Sequence, residues 1–168
     1  FEKTARAWFK GAKLLTDDLV QMNLALINGE IDLYCTGGTY TASPARFDGS
    51  TNIRGITPKR GPMDGKGGIV WVEVTSVVNN PQVSPLAEEF LHYVQKPEVC
   101  KAVAFAEGTY NPVAQMADPE VFSQFDKAEL DAIQWDSLEE ELANCVDYSI
   151  NPSYGAMDKI YNAAKREA

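Results

Sequence analysis

The sequence predicts an α/β fold built on a small sheet, and three observations carry that class. Ile69 to Thr75 alternates with period two, as a strand does. Leu19 to Asn28, Ser84 to Val94 and Pro152 to Arg166 repeat apolar residues at helical spacing. Glycine and proline punctuate an order that runs helix, helix, strand, then further strands and paired helices.

Phe1 to Lys13 is helix-compatible, with Ala5, Trp8, Phe9 and Ala12 on one side and Gly11 weakening its end. Thr16-Asp17-Asp18 offers a cap and first-turn acids ahead of Leu19 to Asn28. There Val20, Leu24 and Ile27 line one face and Leu19, Met22 and Leu26 the next, an arc wide enough to predict a well-buried helix. Gly29 ends it, and Ile31 to Cys35 reads as a short strand entering Thr36-Gly37-Gly38-Thr39. A second strand is predicted around Ile53 to Thr57, closed by Pro58, and Gly61 to Gly68 is a loop. In the Ile69 to Thr75 strand the even positions are all Val, while Trp71 and Glu73 share the opposite face.

Past Asn79-Asn80-Pro81, Ser84-Pro85 starts a helix with Leu86, Phe90, Leu91 and Val94 inward. Lys96-Pro97-Glu98 separates it from a second helix that ends at Gly108. The remainder reads as helical: Lys127 to Gln134, Ser137 to Cys145, and Pro152 to Arg166 with Tyr154, Met157, Ile160, Tyr161 and Ala164 inward.

Composition narrows the partners. The 168 residues are 45% apolar and 23% charged, as in a globular chain, and no apolar run reaches the roughly 20 residues of a membrane span. The net charge of −9 opposes sequence-independent binding of nucleic acid. Between Asp118 and Asp147 the acids face a single cation, Lys127, which reads as a solvated acidic face or as a field that draws in cations. Cys35, Cys100 and Cys145 form no Cys-x-x-Cys pair and, with the lone His92, make a poor metal set, so buried inert thiols and no metal are expected. The first residue is Phe1 rather than Met, and the sequence is expected to be a processed or truncated product.

Trp71 and Glu73 carry the most chemistry. An indole face attracts an ammonium group by about 0.5–2 kcal/mol, and a neighbouring carboxylate adds Coulomb attraction. Together they suit an organic cation, and the alternative is an ordinary half-exposed strand face. Thr36 to Thr39 could present backbone N–H groups to an anion, but it matches neither a Walker nor a dinucleotide pattern and reads first as a tight strand exit. Gly108 to Pro112 marks a helix end and a chain reversal, either a hinge or a plain loop. No Ser-His-Asp spacing or carboxylate motif for a metal is present, and no cofactor is expected.

Ala25 to Leu33, Ile56 to Gly61, Gly68 to Glu73, Ala87 to Val99 and Gly108 to Pro112 together resemble, in register, the later part of polyamine-type extracellular solute-binding proteins of ABC importers. The resemblance spans roughly Thr16 to Pro112, and it implies part of a type II periplasmic-binding-protein fold, a small mixed sheet with flanking helices. Residues 1–68 would form a second-lobe segment. Residues 69–112 would hold the interlobe strand, the returning helix pair and the hinge, and 113–168 an acidic helical segment. A chain so built leaves apolar helix faces uncovered, which predicts a missing first lobe or self-association.

Trp71 and Glu73 match the family's Trp-x-Asp pair, which holds the ligand's amine, with Glu in place of Asp. The family's aromatic after the second-lobe strand falls on Gly37, and a further acid on Tyr40. The hinge tyrosine falls on Thr109, with Tyr110 beside it, and Asp147 matches a polar ligand position. The resemblance implies a non-enzymatic receptor, periplasmic or lipid-anchored outside the cell. It would pass a small cationic solute such as putrescine or spermidine to permease subunits in the membrane. The rival expectations are an enzyme on the same scaffold with Cys35 as nucleophile, and a stable fragment with no activity of its own.

Overall fold

A computed structural model describes every residue except Thr36, Asn80, Ala168 and the side chain of Glu107. The chain is of mixed α/β class, 51% helical, with a small two-stranded parallel sheet. It divides into two compact units, one of residues 1–34 with 147–168 and one of residues 35–146.

The first unit holds α1 (Glu2–Gly11), α2 (Leu19–Ile27) and the long terminal helix Tyr154–Arg166. Of Thr16-Asp17-Asp18 it is Asp18 that caps α2, accepting hydrogen bonds from the N–H groups of Val20 and Gln21 at 2.8 and 3.1 Å, and no acid stands in the first turn. Gly29 follows at φ 68°, the left-handed conformation that ends helices. Phe9 of α1 meets Tyr161 of the terminal helix edge to face at 5.0 Å, with Ala5 and Ala164 buried in the same unit.

The second unit runs through α3 (Thr39–Phe47), β1 (Gly68–Val70), α4 (Leu86–Val94) and α5 (Cys100–Ala104). It continues with α6 (Pro119–Phe122), α7 (Lys127–Ala132), α8 (Leu138–Ala143) and β2 (Cys145–Asp147), after which the terminal helix is α9. Its core gathers Cys100, Ala104, Met116, Val121, Phe125 and Ile133. α3 packs on α7. β1 and β2 pair, and the N–H groups of Gly67 and Gly68 both donate to Asn144 O at 3.2 Å. A Cβ on Gly68 would sit 2.4 Å from Thr57 Cγ2 and 2.8 Å from Cys145 Sγ, so glycine is required where the loop meets the sheet.

Several sequence expectations are corrected. Ile31 to Cys35 is not a strand: it is irregular, Leu33 is 73% exposed and Cys35 is exposed rather than buried. Thr36, from the same glycine turn, and Asn80, from the turn before α4, lie outside the described residues. Ile53 to Thr57 is irregular too, because side chains pair with the backbone groups a sheet would have taken. Arg46 takes the carbonyls of Thr51 and Ile53, Gln134 takes the N–H and C=O of Gly55, and Glu141 accepts from the Thr57 N–H.

The Ile69 to Thr75 strand is realised only through Val70. Beyond it the chain has no partner strand among the described residues, and alternation without a neighbour does not make a ladder. β2 appears instead at Cys145, where the helical reading ran on. α2 is buried on one face only, through Met22 and Ala25, while Val20, Leu24 and Ile27 are exposed. α4 buries no residue, α9 leaves Tyr154 and Tyr161 exposed, and the inward faces predicted for both are largely open.

The acidic segment has a structural use. Asp118 and Asp126 cap helices, Glu129 pairs with Lys101 at 2.7 Å, and Arg54 reaches Asp136 at 3.0 Å. Lys59 binds Glu140 and holds its carboxyl below the ordinary range, first through a hydrogen bond and then by charge. Exposed pairs such as Lys59 with Glu140 add little to stability, because water screens them. Their larger effect is to fix residues 54–59 against the segment that follows α7.

Candidate functional site

The site is built on the first two turns of α3. Gly37 stands at φ 82°, a conformation side chains rarely adopt, and Gly38 precedes the helix with an extended backbone while its N–H donates to Thr41 Oγ1 at 3.3 Å. Thr39 is the first helical residue. Within the helix Pro44 has no N–H, so the carbonyl four residues earlier, on Tyr40, lacks its usual donor. Ser43 replaces it: its hydroxyl donates to Tyr40 O at 2.6 Å. The same hydroxyl oxygen accepts the Tyr110 N–H at 2.9 Å. A proline inside a helix thus creates a vacant carbonyl, and a buried serine turns it into a link from Tyr40 to the Gly108–Pro112 reversal.

Above this link the Tyr40 ring meets the Trp71 indole edge to face, at 6.1 Å between centroids and 85° between planes. Gly38 lies against both rings. A Cβ there would be 2.8 Å from the Tyr40 ring and 3.5 Å from Trp71 Cη2, so only glycine leaves room for the pair. Trp71 keeps 46% of its surface exposed. Glu73, two residues on, is exposed and has no hydrogen-bond or ion-pair partner among the described residues. The edge-to-face contact holds the indole while nearly half of its surface stays exposed, and exposed indole surface is what a cation needs.

The remaining predicted positions separate from this pair. Tyr110 is joined to Tyr40 through Ser43, but its ring stacks on Phe47 at 4.7 Å and 29° and meets Phe105 edge-on at 4.7 Å. It belongs to the aromatic packing at the far end of α3, and its ring is committed there. Thr109 is half-buried and accepts from Asn111 Nδ2 at 3.2 Å, while Gly108 at φ 73° turns the chain. Gly37 is exposed and offers no side chain. Asp147 is the exposed last residue of β2 and falls in the first unit. Gly38 was read only as part of the Thr36–Thr39 turn and Ser43 was not singled out, although the Ser43-Pro44 pair was the available signal.

Arg46, one turn beyond Ser43, anchors α3 from below. It is 3% exposed, and its guanidinium donates to four carbonyl contacts: twice to Asp131 O at 2.8 and 2.6 Å, to Thr51 O at 2.8 Å and to Ile53 O at 2.7 Å. Burial, then the charge of Arg54, push its pKa down, and Asp136 and Asp131 oppose them. Two apolar clefts lie elsewhere, one of about 280 Å3 between residues 75–78 and α4 and one of about 310 Å3 along α9.

The thiols differ sharply. Cys100 is fully buried, and desolvation pushes its thiol up, whereas Cys35 is exposed. A thiol probe at neutral pH is expected to label Cys35 in the native chain and to reach Cys100 only on denaturation. Peptide mass spectrometry reads the order, and early labelling at Cys100 would contradict the packed core.

A comparison with protein-family models gives no match, and a comparison with curated proteins gives none.

Proposed function

We propose that this chain is the ligand-binding component of an ABC import system, or the later half of one. In this reading it has a type II periplasmic-binding-protein fold, works in the periplasm or as a lipid-anchored extracellular protein, and catalyses no reaction. Its solute is a small organic cation of polyamine type, held in an interlobe cleft and passed to permease subunits.

One observation carries the reading: the Trp71 indole is held in an edge-to-face contact with Tyr40, remains 46% exposed, and lies two residues from the Glu73 carboxylate, which has no partner among the described residues. An alkylammonium group on the indole face would gain about 0.5–2 kcal/mol. Glu73 would pair with the charge, and the Tyr40 hydroxyl would add a polar contact. Gly38 keeps the rings together, and the Ser43 link fixes α3 beneath them. Closure of the lobes around the solute would be the signal that the permease receives.

The test is calorimetric titration of the chain with putrescine. Glu73→Gln is expected to weaken the affinity about tenfold, on the order of 1.4 kcal/mol, without changing the fold. Equal affinity in the two proteins would remove Glu73 from the site. A second reading, an enzyme that uses Cys35, is favoured only by the exposure of that thiol. An activated thiolate would react with the probe much faster than a free cysteine peptide, and an ordinary rate ends that reading.

A further inference from the structure

Ser43 is fully buried and acts as donor and acceptor at once: its hydroxyl donates to Tyr40 O at 2.6 Å and accepts the Tyr110 N–H at 2.9 Å. A hydroxyl has one proton and two lone pairs, so both bonds fit together. The two ends differ in what holds them. The Tyr110 ring packs on Phe47 and Phe105, and the next residue, Asn111, donates its N–H to O of Ala104, itself fully buried in the core, at 2.8 Å. Tyr40 stands in the first turn of α3, where N–H groups have no acceptor within the helix, and Pro44 withholds the donor that its carbonyl would take. Beside Tyr40 the same turn is pressed on Gly55, where a Cβ would lie 2.9 Å from Thr39 Cα.

We propose that Ser43 is a positioning residue for the Trp71 site. It carries the fixed position of the Tyr110 and Asn111 backbone to Tyr40, and so holds the Tyr40 ring edge-on to the indole. Pro44 is part of the device. An ordinary residue there would supply an N–H to the Tyr40 carbonyl, and α3 would close on itself without reference to the Gly108–Pro112 reversal. The proline leaves that carbonyl to a side chain, and the side chain also grips the reversal.

The consequence is preorganisation. The ring contact of 6.1 Å at 85° keeps nearly half of Trp71 exposed, and a Tyr40 ring free to swing would cover the indole or leave it unsupported. A cation that meets a held indole loses no affinity to ordering the rings. That the ligand is a cation rests on the proposed function, whereas the positioning of Tyr40 does not.

Nuclear magnetic resonance of the nitrogen-labelled whole chain tests the two separately. The indole N–H signal of Trp71, assigned by its loss in Trp71→Phe, reports the ring contact with no ligand present, and Tyr40→Ala gives the displacement that follows when the contact is lost. Ser43→Ala should move the Trp71 signal in the same direction as Tyr40→Ala. The signals of Trp8 and of Trp135, which packs on Phe122, should stay in place. Ser43→Ala combined with Pro44→Ala isolates the link, because residue 44 then offers an N–H to the Tyr40 carbonyl while Tyr110 stays untied. Its melting midpoint should recover toward the parent's, and its Trp71 signal should remain displaced. In titration with putrescine both variants should bind at least about threefold more weakly than the parent.

A parental Trp71 signal in Ser43→Ala, or its return in the double variant, would overturn the proposal, since the serine would then only satisfy a carbonyl. Equal movement of all three indole signals, or parental putrescine affinity in both variants, would overturn it as well. Should Ser43→Ala fail to fold, the double variant decides alone. A parent that binds no putrescine overturns the cation reading, and the Trp71 signal then judges Ser43 by itself.

Discussion

Arg46→Met is expected to destabilise the residue 35–146 unit by about 2–5 kcal/mol, because three carbonyls lose their shared donor at roughly 1–3 kcal/mol for each that stays buried. For a chain of this size each kcal/mol corresponds to roughly 2–4 °C in the melting midpoint, so the fall should be large in a thermal melt. The cause is specific. Methionine keeps the apolar stem but leaves the carbonyls of Asp131, Thr51 and Ile53 without their donor. Arg46→Lys should recover only part of the loss, because one ammonium cannot reproduce a planar fork aimed at three carbonyls. A midpoint within about 2 °C of the parent would show that these carbonyls find other partners. Since α3 also carries Tyr40, loosening it should weaken any cation held at Trp71.

Gln134→Leu should cost about 2–4 kcal/mol by the same logic, applied to a neutral group. Gln134 is 1% exposed, accepts from the Gly55 N–H at 2.6 Å and donates to Gly55 O at 3.0 Å. Leucine fills the space and leaves both half-buried backbone groups without their partner. The site also stands at φ 55°, where a side chain costs roughly 1–2 kcal/mol in any case, so the added loss is that of the bonds. Denaturant melts read the difference. Arg46 and Gln134 both fasten residues 51–55 to the end of α7, so their losses should not add in the double variant. Strict additivity would mean that the two anchors act on separate structures.

These anchors show how far the residues alone could be read. A cap just before Leu19, the Gly29 stop, a loop from Gly61 that ends where β1 begins at Gly68, and the end of α9 at Arg166 follow from local chemistry. Ile53 to Thr57 has strand composition and is not a strand, because Arg46, Gln134 and Glu141 come from elsewhere in the chain to take its backbone groups. At the site, Trp71 and Tyr40 could be singled out by residue type, but their contact could not. It depends on a glycine that leaves room and on the path of residues 61–70 back toward α3. The Tyr110 ring was beyond reach for the same reason, being claimed by Phe47 and Phe105.

By itself the sequence determined most of the helices, several turns and the charge, since these arise among residues a few positions apart, but it did not show α3. The tertiary structure decided which apolar faces are covered and which backbone groups are paired. Burial and pairing are settled by groups distant along the chain: Arg46 with Asp131, Ser43 with Tyr110, and the valines after β1 with no described partner at all.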